Sequence, residues 1–412
     1  MRKLHTNVGK RKMRSLPKIM LHEHLDCSLR PRTMLELWES LGFEKAKIAF
    51  PADVLETWRR AGTESGTARR RSRAAAAASY QKFLVGFASQ SLANYVNAIV
   101  DHVLPLMQTP ANLTRITKER VDDAIADGIA GMELRFAPQL HTWGGLSLEQ
   151  VMDAVIAGTK TSPFPLKLTL CALRHENGEM ARKLADLCVK YQRHVGVFDL
   201  AADEKANPGL LKWWLKAALY VKLLAPKMLI TIHLWETDEP TDQDIALLRG
   251  FEDLLKESNT RAAKLGARAS ADDLWAVADQ VVETLYPTLS SVEGDAADGE
   301  LRIGHGFRGN RQGNRLLEVC PTSNVVTGQV ASFGEHPIDR LYREGKRVTV
   351  NTDGTLFTEV QLSDEYRKLQ EEFGWTPADL LAVNLHALEG SSFSKRDKSR
   401  LRALLKRAYS RI

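Results

Sequence analysis

Short apolar runs alternate along the chain with longer stretches that carry apolar residues at helical spacing. Eight of the runs read as strands: Lys18–Leu25, Gly131–Phe136, Leu166–Ala172, Val195–Leu200, Met228–Leu234, Leu301–Gly304, Leu316–Cys320 and Lys346–Asn351. Several are almost continuously apolar, as expected of strands covered on both faces. Strands and helices in strict alternation predict a parallel sheet. Eight such units fit a single (β/α)8 TIM-type barrel with extra helical insertions.

Two stretches break the rhythm. Residues 63–79 combine turn residues, a basic cluster and five consecutive alanines, and read as a helical or disordered surface insertion. Residues 237–300 form a long connection between the fifth and sixth strands, with amphipathic patterns in IALLRGFEDLLKES and DDLWAVADQVVETLY. They read as a small helical subdomain that ends in a flexible loop, SSVEGDAADGE. Connections of this length in a compact domain are usually functional. The expected organisation is a basic extension over 1–16, the barrel over 17–395 and a basic C-terminal helix over 396–412.

Composition changes this picture little. The 412 residues are 44% hydrophobic and 26% charged, which excludes a fibre, a disordered chain and a disulfide-stapled miniature. Net charge is +6, concentrated in the two ends, and reads as solvated termini rather than a nucleic-acid surface. Cys27, Cys171, Cys188 and Cys320 are dispersed, with no CxxC pair, and predict free thiols in a reducing compartment, the cytoplasm. The N-terminus lacks the apolar stretch of a secretory signal, and no run reaches the roughly 18 apolar residues of a membrane span. Nothing in the sequence sets the oligomeric state.

Candidate chemistry falls at strand ends, where barrel active sites are built. The first strand ends in His22-Glu23-His24, and alternation along a strand points both imidazoles the same way. The fifth ends at His233, followed by Glu236; the sixth runs into Gly304-His305-Gly306; the eighth ends in Asn351-Thr352-Asp353. Several imidazoles and a carboxylate around an open position are the donor set of a catalytic zinc or similar divalent ion.

These residues sit in segments that resemble the adenosine deaminase family of the amidohydrolase superfamily. PKIMLHEHLDCSLRP (17–31), ELRFAP (133–138), DLAADE (199–204), RIGHG (302–306), LEVCPTSNVVTG (317–328) and VNTDG (350–354) follow in family order. The resemblance runs from about residue 17 to about residue 390. It implies that His22, His24, His233 and Asp353 bind one zinc per chain, another divalent ion being the alternative. It implies that Glu236 protonates the purine at N1 and that His305 orients and deprotonates the attacking water. It implies that Asp26 bonds the sugar hydroxyls and that the backbone near Ala202 approaches N3. The partner implied is a small amino-purine nucleoside, with no membrane and no nucleic acid.

Four positions depart from the family pattern. Gly354 stands where the family has a second aspartate, which bonds N7. Trp235 and Ala202 stand where it has glycines, as does Cys27. Trp235 is expected to help build a dry pocket around Glu236. The metal and acid positions are intact while the shell around the ring has changed. The reading is therefore a deaminase of adenosine or deoxyadenosine. Its alternatives are a deaminase of another amino-purine (adenine, a modified nucleoside or a nucleotide) and a barrel-fold binding protein with little catalysis.

Overall fold

In a computed structural model of the protein, the structure describes residues 8–204, 211–237, 239, 241–266, 268–289, 301–309 and 313–412. Eight parallel strands lie side by side in chain order: β1 (Lys18–Met20), β2 (Ile129–Phe136), β3 (Leu166–Leu173), β4 (Val195–Ala201), β5 (Leu229–Leu234), β6 (Arg302–His305), β7 (Leu317–Val319) and β8 (Val348–Val350). The ring closes between β8 and β1 through site residues themselves. His24 N–H donates to the Asp353 carbonyl at 2.6 Å, and Asp353 N–H to that of His22 at 3.1 Å. Helices cover the outside, as the alternation predicts.

β1 is shorter than the sequence suggests. It ends at Met20 because the Asn351 side-chain oxygen accepts the N–H groups of Leu21 and His22, at 3.0 and 3.1 Å, where a ladder partner would be. Glu23 and His24 then make single bridges to Asp353 and Arg135. At the entry to β2, Gly128 turns with φ +78°; a Cβ there would lie 2.3 Å from the Arg14 carbonyl oxygen.

The period-2 pattern sorts β2 into two faces. Met132, Leu134 and Phe136 are buried among apolar neighbours, while Glu133 and Arg135 join a buried ionic lattice inside the barrel. Arg302 bonds Glu133 at 2.7 Å and Glu318 at 2.8 Å; Arg135 bonds Asp199 at 2.9 Å and also Glu318. Buried charges persist only when paired, and these pairs lie directly beneath the site.

Of the two alternatives for 63–79, the structure takes the helical one: it falls largely within Gly66–Ala88, anchored by Arg73, whose guanidinium lies 3.8 Å from the Trp58 ring centroid. The long connection contributes the helices Asp242–Leu265 and Ala271–Leu289. The second packs on Leu211–Leu224, with the Tyr220 and Trp275 rings 5.4 Å apart. The expected loop after residue 289 lies outside the described residues. Lys395–Tyr409 is a helix. All four cysteines are free and buried. No helix among the described residues is long and apolar enough to cross a membrane.

Candidate active site

His22, His24, His233 and Asp353 converge at the C-terminal mouth of the barrel. His24 Nε2 lies 3.2 Å from His233 Nε2 and 3.5 Å from Asp353 Oδ1, and His22 Nε2 lies 3.4 Å from the same oxygen. His22 Nε2 is buried with no hydrogen-bond partner. Three of the four donors are held from behind. His22 Nδ1 meets Glu318 Oε2 at 3.1 Å; His233 Nδ1 meets Asp199 Oδ2 and the Leu200 carbonyl oxygen, both at 3.1 Å; Ser323 Oγ–H donates to Asp353 Oδ2 at 2.6 Å. A carboxylate behind an imidazole fixes its tautomer and turns the other nitrogen toward a metal. Gly304 leaves room for the cluster, since a Cβ there would lie 3.1 Å from His22 Cε1.

His22, His24 and His233 offer donor atoms within 4.8 Å of one another, and Asp353 Oδ1 lies beside two of them, an arrangement that suits one divalent cation. A second grouping, His22, His305, Cys320 and Asp353, is also compact. It is the poorer set, because burial pushes the Cys320 thiol well above its usual range and His305 Nδ1 is taken by Asn324.

Backbone strain gathers here too. Ala202 (φ +83°), Trp235 (+61°), His305 (+57°) and Asp353 (+62°) all adopt left-handed conformations, unusual for residues with a Cβ. Ala202 thus keeps a glycine-like backbone in spite of its methyl group.

Glu236 is buried and faces His305, with Oε2 to Nε2 at 3.6 Å. Burial first, then Asp353, Glu204 and Asp203, push its carboxyl well above the usual range, while Arg308 opposes the shift. Glu204 holds the turn in place: its carboxylate accepts the N–H groups of Trp235 at 2.8 Å and Glu236 at 3.0 Å.

A chain of hydrogen bonds fixes the His305 ring. Ile338 N–H donates to His336 Nδ1 at 3.1 Å, so a neutral His336 carries its proton on Nε2; burial lowers its pKa to about 3 and keeps it neutral. That proton meets Asn324 Oδ1 at 3.2 Å, which turns the Asn324 amide nitrogen toward His305 Nδ1 at 3.1 Å. Burial and neighbouring imidazoles hold His305 well below its usual range. Its single proton therefore sits on Nε2, facing Glu236.

These groups open into a cavity of about 320 Å³. Asp26 and Ala202 line it, and burial raises Asp26 to about 7. An apolar wall comes from the helix Leu92–Ala98 and the π-helical turn Ile99–Val103, with the exposed Trp143 at the mouth. Two expectations fail. Trp235 does not line the cavity; its turn is pinned by Glu204, and its fully buried ring points to Asp244, with Nε1 to Oδ2 at 3.2 Å. Gly354 does not line it either, because Cys27 and Tyr95 occupy the space its side chain would take. His175 is an exposed residue of the cavity lining, and His141 is buried against Phe136. The wall over 92–104 carried no sequence signal beyond apolar residues, and the His336–Asn324 chain none beyond Asn324's place in the TSN motif.

A (β/α)8 barrel that gathers three imidazoles, a carboxylate and a buried acid around one cavity defines a metal-dependent hydrolase of the amidohydrolase type. The chain belongs to the adenosine deaminase family, whose model matches residues 17–246 and 299–408 and passes over most of the inserted helical pair. An adenosine deaminase of Mycolicibacterium vanbaalenii is 32% identical over 390 residues, covering 92% of this chain and 91% of its own. Two solved structures share the fold. The N6-methyl-AMP deaminase of Arabidopsis thaliana superposes with a TM-score of 0.69 at 23% identity, over 98% of this chain and 100% of its own. The adenine deaminase of Arthrobacter aurescens superposes with 0.64 at 18%, over 95% and 98%. The protein is thus an enzyme, a hydrolase of carbon–nitrogen bonds in cyclic amidines, and its chemistry is amino-purine deamination.

Proposed function

We propose that the substrate is an amino-purine nucleoside, adenosine or deoxyadenosine, converted with water to the inosine-type product and ammonia. The observation that carries this reading is a cavity onto which a buried acid of raised pKa, the candidate ligands His24, His233 and Asp353 and an apolar wall all face. His22, His24, His233 and Asp353 would hold one zinc, or another divalent ion. Such an ion, when bound, lowers the pKa of water to about 7 and so supplies a nucleophile at neutral pH.

The chain's own residues supply the rest. Glu236 gives its proton to N1 as oxygen adds at C6, so the ring can take up the electron pair. His305 presents Nε2–H, so it orients the attacking oxygen and supports its negative charge. The base role that the resemblance implies would require moving that proton to Nδ1 and breaking the Asn324 bond. The C6–N bond then breaks; one proton of the water leaves with the amine as ammonia, and the other restores the Glu236 acid as the 6-oxo product forms. Asp26 accepts from sugar hydroxyls, and the backbone at Ala202 meets the N3 edge. Trp235 acts from behind, holding the turn that carries Glu236.

The charge of the cavity favours a nucleoside over a nucleotide. Asp26, Asp203, Glu236 and Asp353 line it, and no lysine or arginine does so among the described residues. A phosphate would bring roughly two negative charges toward Asp26 and Asp203, with no lysine or arginine among the described lining residues to pair it. Ammonia release from purified, zinc-loaded protein tests this on adenosine, deoxyadenosine, adenine, AMP and N6-methylated adenosines. Adenosine is expected to exceed AMP in kcat/KM by at least about 100-fold, on the order of 3 kcal/mol. AMP turning over as fast as adenosine would sink the nucleoside assignment, and turnover confined to another compound would replace adenosine with it.

Metal removal offers a second check. Chelation is expected to abolish turnover and lower the melting temperature, since a ligand bound a thousandfold above its Kd stabilises by about 4 kcal/mol. Readdition of zinc should restore both, and a melting curve indifferent to chelation would count against the four-donor assignment.

A further inference from the structure

Glu236 and His305 face each other from different loops. Glu236 lies two residues past the end of β5, and His305 ends β6. Their separation of 3.6 Å depends on a tie that spans both loops. Arg308 provides one. His305 and Gly306 are both left-handed, with φ +57° and +64°, and Gly306 N–H donates to the Leu234 carbonyl oxygen at 3.1 Å. This turn brings Arg308, three residues beyond the imidazole, back to the main chain of the acid.

The guanidinium then reaches three separate acceptors. Nε–H donates to the carbonyl oxygen of Glu236 itself at 3.1 Å, Nη1–H to Glu239 Oε1 at 3.0 Å and Nη2–H to the Gln329 carbonyl oxygen at 2.9 Å. The Glu239 link adds little, since that side chain is 75% exposed. The two carbonyl bonds are what fix the fork. Glu204 already accepts the Glu236 N–H at 3.0 Å, so both backbone polar groups of the acid are held. The Gln329 contact leads to the other member of the pair. Gln329 N–H donates to the Asn324 carbonyl oxygen at 2.9 Å, and the Asn324 amide fixes the His305 ring. One planar group therefore joins the acid, the segment that carries the imidazole and the loop that orients it.

We infer that Arg308 is a positioning residue that sets the spacing of Glu236 and His305, and so aims the acid at the substrate ring. This rests on the deaminase reading above, with Glu236 as the proton donor. Geometry matters here more than charge. Burial, Asp353, Glu204 and Asp203 all act on the Glu236 carboxyl more strongly than Arg308 does. Donors spread over a rigid fork can meet three segments at once, whereas a lysine gathers its donors on one nitrogen.

The test is a double-mutant cycle of Arg308→Met and Glu236→Gln, run on the amino-purine that the wild type turns over fastest. Arg308→Met is expected to lower kcat by about 10- to 100-fold, since a misplacement of about 1 Å can cost on the order of 100-fold. Zinc content and melting temperature should stay at the wild-type level, because Arg308 touches none of the four donors. In the Glu236→Gln background the same substitution should cost less than about twofold, because the group that it places is already gone. Arg308→Lys should stay within about threefold of Arg308→Met. An undiminished kcat, or a change confined to KM, overturns the assignment. So does an equal loss in both backgrounds, which would show that Arg308 acts other than through the acid. Full recovery with lysine would leave only its charge, and a loss that follows zinc content or melting temperature would leave only a structural tie; either removes the inference. A wild-type protein that turns over no amino-purine overturns the deaminase reading and this inference with it, whereas normal turnover with an indifferent Arg308→Met removes Arg308 alone.

Discussion

Glu236→Gln is expected to lower kcat by about 10² to 10⁴ while zinc content stays at the wild-type level. The substitution keeps size and shape and lies outside the donor cluster, so nothing that holds His22, His24, His233 or Asp353 changes. The amide can still donate a hydrogen bond to N1, so KM should move little. It cannot give up a proton, and the electron pair displaced by the attack at C6 then has no acid to meet it. Steady-state kinetics with metal analysis on the same preparation checks both halves. A near-wild-type kcat would place the proton donor elsewhere.

The same variant has a stability signature in chelated protein. The Glu236 carboxyl is raised in the folded state above its ordinary 4.5, by burial first and then by Asp353. Between 4.5 and the raised value the folded chain holds a proton that the unfolded chain has lost. The contribution of Glu236 to stability is therefore full below 4.5 and falls as pH rises through that window. Glutamine removes this dependence, so the metal-free variant should melt no lower than the metal-free wild type at pH 7.

How far the sequence foretells this architecture depends on which force sets each feature. Strands were legible because burial on both sheet faces writes apolar runs such as Val195–Leu200, and β4 occupies Val195–Ala201. His22 and His24 were legible as a pair because alternation survives past the end of β1. The early end of β1 was not legible, since it depends on Asn351, some 330 positions away. Trp235 misled for a related reason. Its neighbour Glu236 faces the cavity, but Glu204 pins the turn and sends the indole to Asp244. Gly354 read as a lost contact, and only the fold shows Cys27 and Tyr95 filling its place. Tyr95 itself was silent, as one aromatic in a short helix without a motif. The ionic lattice was half visible: Glu133, Arg135, Asp199, Arg302 and Glu318 all lie in the motif segments, but pairing across a barrel cannot be read along a chain.

That lattice carries the largest expected effect on stability. Arg135 is fully buried and joins Asp199 at 2.9 Å, Glu318, and the Leu21 carbonyl oxygen at 3.0 Å. Asp199 orients His233, and Glu318 orients His22. One guanidinium therefore neutralises the two carboxylates that aim two of the four donors. Against the opposing effect of burial, His233 and then Arg135 hold Asp199 below the ordinary range, and Arg302 and then Arg135 hold Glu318 there, with His22 adding to both shifts. Arg135→Met removes the charge and keeps much of the volume. Glu318 retains Arg302, but Asp199 is left with His233 and the weak Cys171 thiol. Breaking a buried pair from one side typically costs about 3–5 kcal/mol, and loss of outer-shell support weakens metal binding about 10–100-fold. Both losses are expected in Arg135→Met, read by denaturant unfolding and by zinc competition with a chelator. Arg135→Lys separates the causes. It restores a charge but not a fork that spans both carboxylates, so it should recover part of the stability and less of the zinc affinity. Wild-type zinc affinity in Arg135→Met would show that Asp199 and Glu318 aim their imidazoles without it, leaving the arginine a purely structural tie across the barrel.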